Sequence, residues 1–169
     1  MSLPYSQAMT SYLQNYLSKG QLKIIKTVDD EVGSAIWNEA TQQGKKLGFS
    51  AKQVRYLATL AIQRFQKLRN GIIIDDDISK ALEVRKMYYG IWKDSTKISK
   101  ISNWAIAKNM QSSDGPPQGS DEIILSTVAS IANSKSTELL TFDHDFLIFK
   151  DEIKQNFCVD VMDASTIYI

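Results

Sequence analysis

Three aspartates frame the one stretch of this chain whose residue types and spacing could do chemistry. Asp121 lies near the start of Gly-Ser-Asp-Glu-Ile-Ile-Leu, and Asp143 and Asp145 close Leu-Leu-Thr-Phe-Asp-His-Asp-Phe. A carboxylate in the first turn of a buried helix and another at the C-terminal end of a neighbouring strand can meet in one cleft. Open α/β sheets carry their sites at that edge. Without a counter-charge such carboxylates repel one another and hold protons more tightly. The set therefore makes sense mainly as a site for a hard cation, which wants oxygen ligands. The elements that must position it read clearly. Ser120 is a good N-cap, and Asp121 and Glu122 fall in the first turn, where the helix dipole favours negative charge. Ile124, Val128 and Ile131 recur on one helical face, and Leu125, Ala129 and Ala132 widen it. Asn133 and Ser134 end the helix, and Thr137–Phe142 reads as a buried strand. Ile124, Val128, Ile131, Leu139 and Leu140 are expected to be nearly fully buried.

The order Asp-x-x-Ile, a helix rich in small residues, then Leu-Leu-Thr-x-Asp-x-Asp-Phe resembles the C-terminal half of a PIN-domain nuclease. The residues that carry the likeness are Asp121, Ile124, Thr141, Asp143, Asp145 and Phe146. PIN proteins are metal-dependent nucleases that act mostly on RNA, and VapC-type toxins of toxin–antitoxin pairs are among them. The resemblance implies a three-layer αβα sandwich with a mostly parallel sheet, Mg²⁺ or Mn²⁺ as cofactor and RNA as substrate. It also implies an antitoxin protein as partner and association as a homodimer. Asp121 and Asp143 would be metal ligands. Glu31 would be a ligand or a water-positioning acid, and Asp145 a supporting group or an occasional ligand. Thr141 would orient a carboxylate or water through its hydroxyl. Glu31 stands three residues past Val28, like the acid that follows the second strand in the family; Asp30 and Glu39 are the alternatives.

The likeness breaks at the beginning. PIN domains open on a strand that carries an aspartate, and nothing of that kind precedes Leu22. Two expectations follow: an N-terminal segment lies outside this sequence, or the chain is a degenerate member that binds RNA or protein without cleaving. In a sheet lacking that strand, the segments Leu22–Lys26 and Thr137–Phe142 must close up, or a second copy must cover the gap. The uncharged faces at 9–17 and 98–105, with Tyr12, Tyr16 and Trp104, offer apolar surface for pairing or for a core.

Composition sets the outer limits. A chain of 169 residues is read as one domain, 1–169, long enough for a sizeable core. Hydrophobic content is 43% and charged content 23%, ordinary for a globular protein. With a net charge of +1, any nucleic-acid binding must rest on a local patch. Cys158 is the only cysteine, which excludes an intramolecular disulfide and fits a reducing, cytoplasmic setting; its context, Phe-Cys-Val-Asp-Val, reads as a buried strand. No apolar run approaches the roughly 18 residues of a membrane span. His144, the only histidine, sits between two acids and reads as solvated.

Elsewhere the chain reads as helices alternating with short strands. Residues 6–19 form a helix ended by Gly20, and Leu22–Lys26 form a strand. A helix capped by Thr27 or Asp29 then runs to Gly44. Ser50–Leu68 is amphipathic and basic through Lys52, Arg55, Arg64, Lys67 and Arg69, a solvated face or a phosphate contact. Gly71–Ile74 is a strand, and Asp75, Asp76 and Asp77 read as caps of the helix that follows. Ile98, Ile101, Trp104, Ala105 and Lys108 share a helical period. Ser112–Gly119 is the strongest loop, either a plain connector or a wall of the cleft.

Overall fold

The computed structural model describes residues 4–132 and 137–168, so the expected helix end at Asn133 and Ser134 lies outside the described residues. In chain order the elements are α1 (Pro4–Ser18), β1 (Ile24–Ile25), α2 (Lys26–Lys46), α3 (Ala51–Leu68), β2 (Ile73–Ile74) and α4 (Ala81–Lys93). Then come α5 (Ile98–Lys108), α6 (Ser120–Ala132), β3 (Thr137–Thr141), α7 (His144–Leu147), α8 (Lys150–Phe157) and β4 (Val159–Asp163). The class is mixed α/β, and every strand pairing is parallel. The strands form two separate pairs, β1 with β2 and β3 with β4, where one broad sheet was expected. The reason is visible in the lengths: β1 and β2 keep only two ladder residues each. No helix among the described residues is long and apolar enough to cross a membrane. The chain groups into two compact units, residues 17–76 and the remainder.

In the 17–76 unit, β1 and β2 run in parallel with Ile24 opposite Ile73 and Ile25 opposite Ile74. Parallel strands need a crossover, and here α2 and α3 supply it as a helical hairpin. The turn into α3 is a capping box between Ser50 and Gln53. Gly44 does not end α2, which runs on to Lys46. A Cβ at Gly44 would lie 2.3 Å from Val54 Cγ2, so this glycine exists for the close approach of the two helices. Gly44→Ala should destabilise this unit by about 1–3 kcal/mol despite the better helix propensity of alanine. Urea denaturation followed by circular dichroism measures it; unchanged stability would mean that the helices can part freely.

The start of α2 is held from a distance. Its N-cap position is Ile25, which offers no side-chain bond, so neither Thr27 nor Asp29 caps it as expected. Asp76, just beyond β2, accepts hydrogen bonds from the Thr27 N–H at 2.9 Å and the Thr27 hydroxyl at 2.8 Å. Asp29 is buried and ion-paired with Arg69, which removes Arg69 from the basic face of α3. Asp30 pairs with Lys26 on the surface, and Glu39 accepts from Gln43. Of the apolar stripe on α3, Val54 and Ala58 are buried, whereas Leu57 and Leu68 stay exposed.

In the other unit the fully buried side chains include Tyr88 and Val84 of α4, Leu125 of α6, Phe149, Ile153 of α8 and Val159 of β4. β3 and β4 pair over five residues, from Thr137 opposite Val159 to Thr141 opposite Asp163. α6 buries Leu125, Ala129 and Ala132 together with Ile124 and Val128. Ile131, expected in the core, is 40% exposed, because the buried face is centred one residue further round the helix. Leu139 and Leu140 are only partly buried, since β3 has one ladder partner among the described residues. The polar residues Ser126 and Thr127 are buried as well and hold the turn before α4. Ser126 Oγ donates to the Asp77 carbonyl at 2.6 Å and accepts from the Lys80 N–H at 3.0 Å, while Thr127 Oγ1 accepts from the Asp77 N–H at 2.9 Å. Asp77 itself accepts from the Ser79 N–H, and α4 begins only at Ala81 with no side-chain cap. Asp77 therefore closes the turn before α4 and Asp76 holds the start of α2, so neither caps α4 as expected. Cys158 is not a buried strand residue. It is exposed at the C-terminal end of α8 in the left-handed region (φ 56°), and β4 starts at the next residue.

Candidate metal centre

The acids meet through two elements that end at the same place. Asp121 sits in the first turn of α6. β3 ends at Thr141, and the chain then turns through a short ladder of bonds. The Asp143 N–H donates to Thr141 Oγ1 at 2.9 Å, and the Asp145 N–H donates to Asp143 Oδ1 at 3.0 Å, which makes Asp143 the N-cap of α7. Asp121, Asp143 and Asp145 each bring a carboxylate oxygen within 4.8 Å of the others. Capping explains Asp143 alone; it does not require three carboxylates in one place.

Asp145 is the most firmly held. It is buried, and its Oδ1 accepts from the Trp104 indole N–H at 2.8 Å. Its backbone carbonyl accepts from the Tyr88 hydroxyl at 2.9 Å. Both aromatic partners are locked in turn: Tyr88 packs edge-on against Phe149 with centroids 5.5 Å apart, and Trp104 packs edge-on against Trp92 at 5.3 Å. Lys108, the last residue of α5, places Nζ 2.9 Å from Asp145 Oδ1 and 3.0 Å from Asp143 Oδ1. Trp104 is thus core and site at once, and not surface for pairing.

The electrostatics follow from crowding. Burial, a hydrogen bond with Asp145 and the charges of Asp145 and Asp143 push the Asp121 carboxyl up to about 8, with Lys108 opposing. Asp121 therefore binds a proton more readily than an ordinary carboxylate does. Burial works against the Lys108 charge, but the hydrogen bonds to Asp145 and Asp143 outweigh it and raise its proton affinity. Burial and the neighbouring acids also push the Tyr88 phenol well above its ordinary value. A donor set of carboxylate oxygens suits a hard cation better than a soft one.

The remaining expected residues lie as follows. Thr141 supports Asp143 through its hydroxyl oxygen, which accepts the Asp143 N–H. Glu31 is exposed on α2, in the 17–76 unit, and the three-acid group is complete without it. His144 is exposed. The 112–119 loop is pinned: Pro116 and Pro117 are buried, and the Trp92 indole N–H donates to the Ser112 carbonyl at 3.2 Å. Beside it Arg85 grips Glu122 with two hydrogen bonds of 2.8 and 3.0 Å. Sequence reasoning missed Lys108, Trp104 and Tyr88 as site residues. One signal was present: Lys108 continues the apolar period of Ile101, Trp104 and Ala105, where a charge needs a buried partner. Comparison with protein-family models, with curated proteins and with solved structures finds no match.

Proposed function

We propose that this chain is a metal-dependent ribonuclease of PIN type. The observation that carries the reading is the convergence of Asp121, Asp143 and Asp145 within 4.8 Å. In this reading the three aspartates hold Mg²⁺ or Mn²⁺, and RNA is the substrate. A three-layer arrangement, an antitoxin partner and a homodimer belong to the same proposal. A bound divalent cation supplies an activated water and neutralises charge on the phosphate. The protein's own groups do the rest. Trp104 holds Asp145, Thr141 holds Asp143, and Asp121 completes the donor set.

The test pairs binding with cleavage. Wild-type protein should bind Mn²⁺ in an isothermal titration and cut a single-stranded RNA only when Mn²⁺ or Mg²⁺ is present. Asp143→Asn should lose both. Metal binding without cleavage of any RNA offered would reject the nuclease and leave a cation site. A second reading is favoured by one observation, the Lys108 ion pairs: a lysine already neutralises part of the cluster, as in an inactive PIN-like module that binds RNA or protein. That reading expects neither Mn²⁺ binding nor cleavage.

A further inference from the structure

We infer that Lys108 is a tethered counter-ion occupying the cation position of the acidic cluster, one that a divalent ion must displace in order to bind. The inference rests on the metal-site reading above and concerns how that site is regulated. Its basis is geometric. The Lys108 ammonium bonds one oxygen of each of two carboxylates, at 2.9 and 3.0 Å, and these belong to two of the three acids that would ligate a metal. An ammonium and a divalent ion on the same carboxylates compete, because like charges at such separation repel in a partly buried site.

The lysine is built to leave. It is the final residue of α5, followed by Asn109 in the left-handed conformation that closes the helix. Its side chain is 28% exposed, so solvent lies within reach of the flexible stem. The last turn of α5 offers the freed ammonium a favourable place at the negative end of the helix dipole. Trp104, one turn earlier on the same helix, keeps its bond to Asp145 and holds the carboxylate in place when the ammonium departs. Lys108 stays protonated throughout; it exchanges partners, not protons. The cluster thereby gains a threshold. It remains closed and partly neutralised at low divalent concentration and opens when the ion outcompetes the lysine.

Titration of the full chain with Mn²⁺ alone, at neutral pH, tests this. Lys108→Met should bind Mn²⁺ more tightly than wild type, by roughly tenfold or more, as expected for removal of a coupled competitor. Lys108→Arg, which keeps the charge, should stay near wild type. Circular dichroism checks that both variants fold. Should Lys108→Met not fold, the wild type supplies a second readout. The Lys108 side-chain resonance, assigned by its loss in Lys108→Arg, should move to the position of solvated lysines on addition of Mg²⁺. If wild type and Lys108→Met bind Mn²⁺ equally, or the resonance stays fixed while metal binds, the counter-ion role is wrong and the metal site stands. If neither protein binds Mn²⁺, both the counter-ion role and the metal reading fall.

Discussion

Asp145→Ala should lower stability by about 3–5 kcal/mol, the usual cost of removing one partner from a buried ion pair. For a chain of this size that corresponds to roughly 6–20 °C in Tm. Two groups lose their partner at once. Among the described residues the Trp104 indole N–H, buried with its ring, has no other acceptor, and Lys108 keeps Asp143. Asp145→Asn retains an oxygen for the indole and should cost less, since only the charge opposite Lys108 is lost. Asp143→Ala should cost least, about 1 kcal/mol, because it removes a partly exposed N-cap from a four-residue helix. Urea denaturation of the three metal-free variants gives the order. If Asp143→Ala proves the most damaging, Asp145 is not the centre of the cluster.

The second large effect lies on α8. Glu152 is buried, and its carboxylate receives Lys97 at 2.6 Å and Lys100 at 2.9 and 3.0 Å. These bonds tie α8 to α5 and to the turn before it. Glu152→Ala should cost about 2–3 kcal/mol, less than a wholly buried pair, because both lysines are about one-third exposed and regain water. The pH dependence follows from the same bonds. Burial alone would raise the Glu152 carboxyl, but the hydrogen bonds from Lys97 and Lys100 prevail and hold it below its ordinary value of 4.5. The folded protein therefore binds this proton less readily than the unfolded chain. The contribution of Glu152 is complete above the ordinary carboxylate range and is lost as pH falls through its depressed folded value. In acid denaturation the wild type should lose stability over that window more steeply than Glu152→Ala. Parallel curves would show that the bonds do not survive in solution.

These residues show where sequence was legible. Asp121, Asp143 and Asp145 could be found because a helix start and a strand end are punctuated by short polar residues, and their carboxylates point where the elements end. Gly44 misled because glycine serves equally as a stop and as a gap: only the distance to Val54 separates the two. Ile131 misled because the i, i+4, i+7 row also runs beside the true face of α6, which Leu125, Ala129 and Ala132 occupy. Lys108 was overlooked for a different reason. A charge on an apolar stripe becomes informative only when its partners are known, and those come from a segment 35 and 37 residues away in sequence. The breadth of the sheet was equally hidden, since short apolar runs, isoleucines in one and leucines in the other, gave a two-residue β2 and a five-residue β3.

The bond from the Trp104 indole to Asp145 has a spectroscopic consequence. Indole emission shifts with the local field along the ring, and here a carboxylate sits directly on the ring nitrogen at 2.8 Å. Whatever draws charge away from Asp145 alters that field, and the neighbouring Trp92 ring, edge-on at 5.3 Å, is placed to exchange excitation with the reporter. The acidic centre thus comes with an intrinsic fluorophore wired to its most buried member, so that the colour of the protein's own light follows the charge held there.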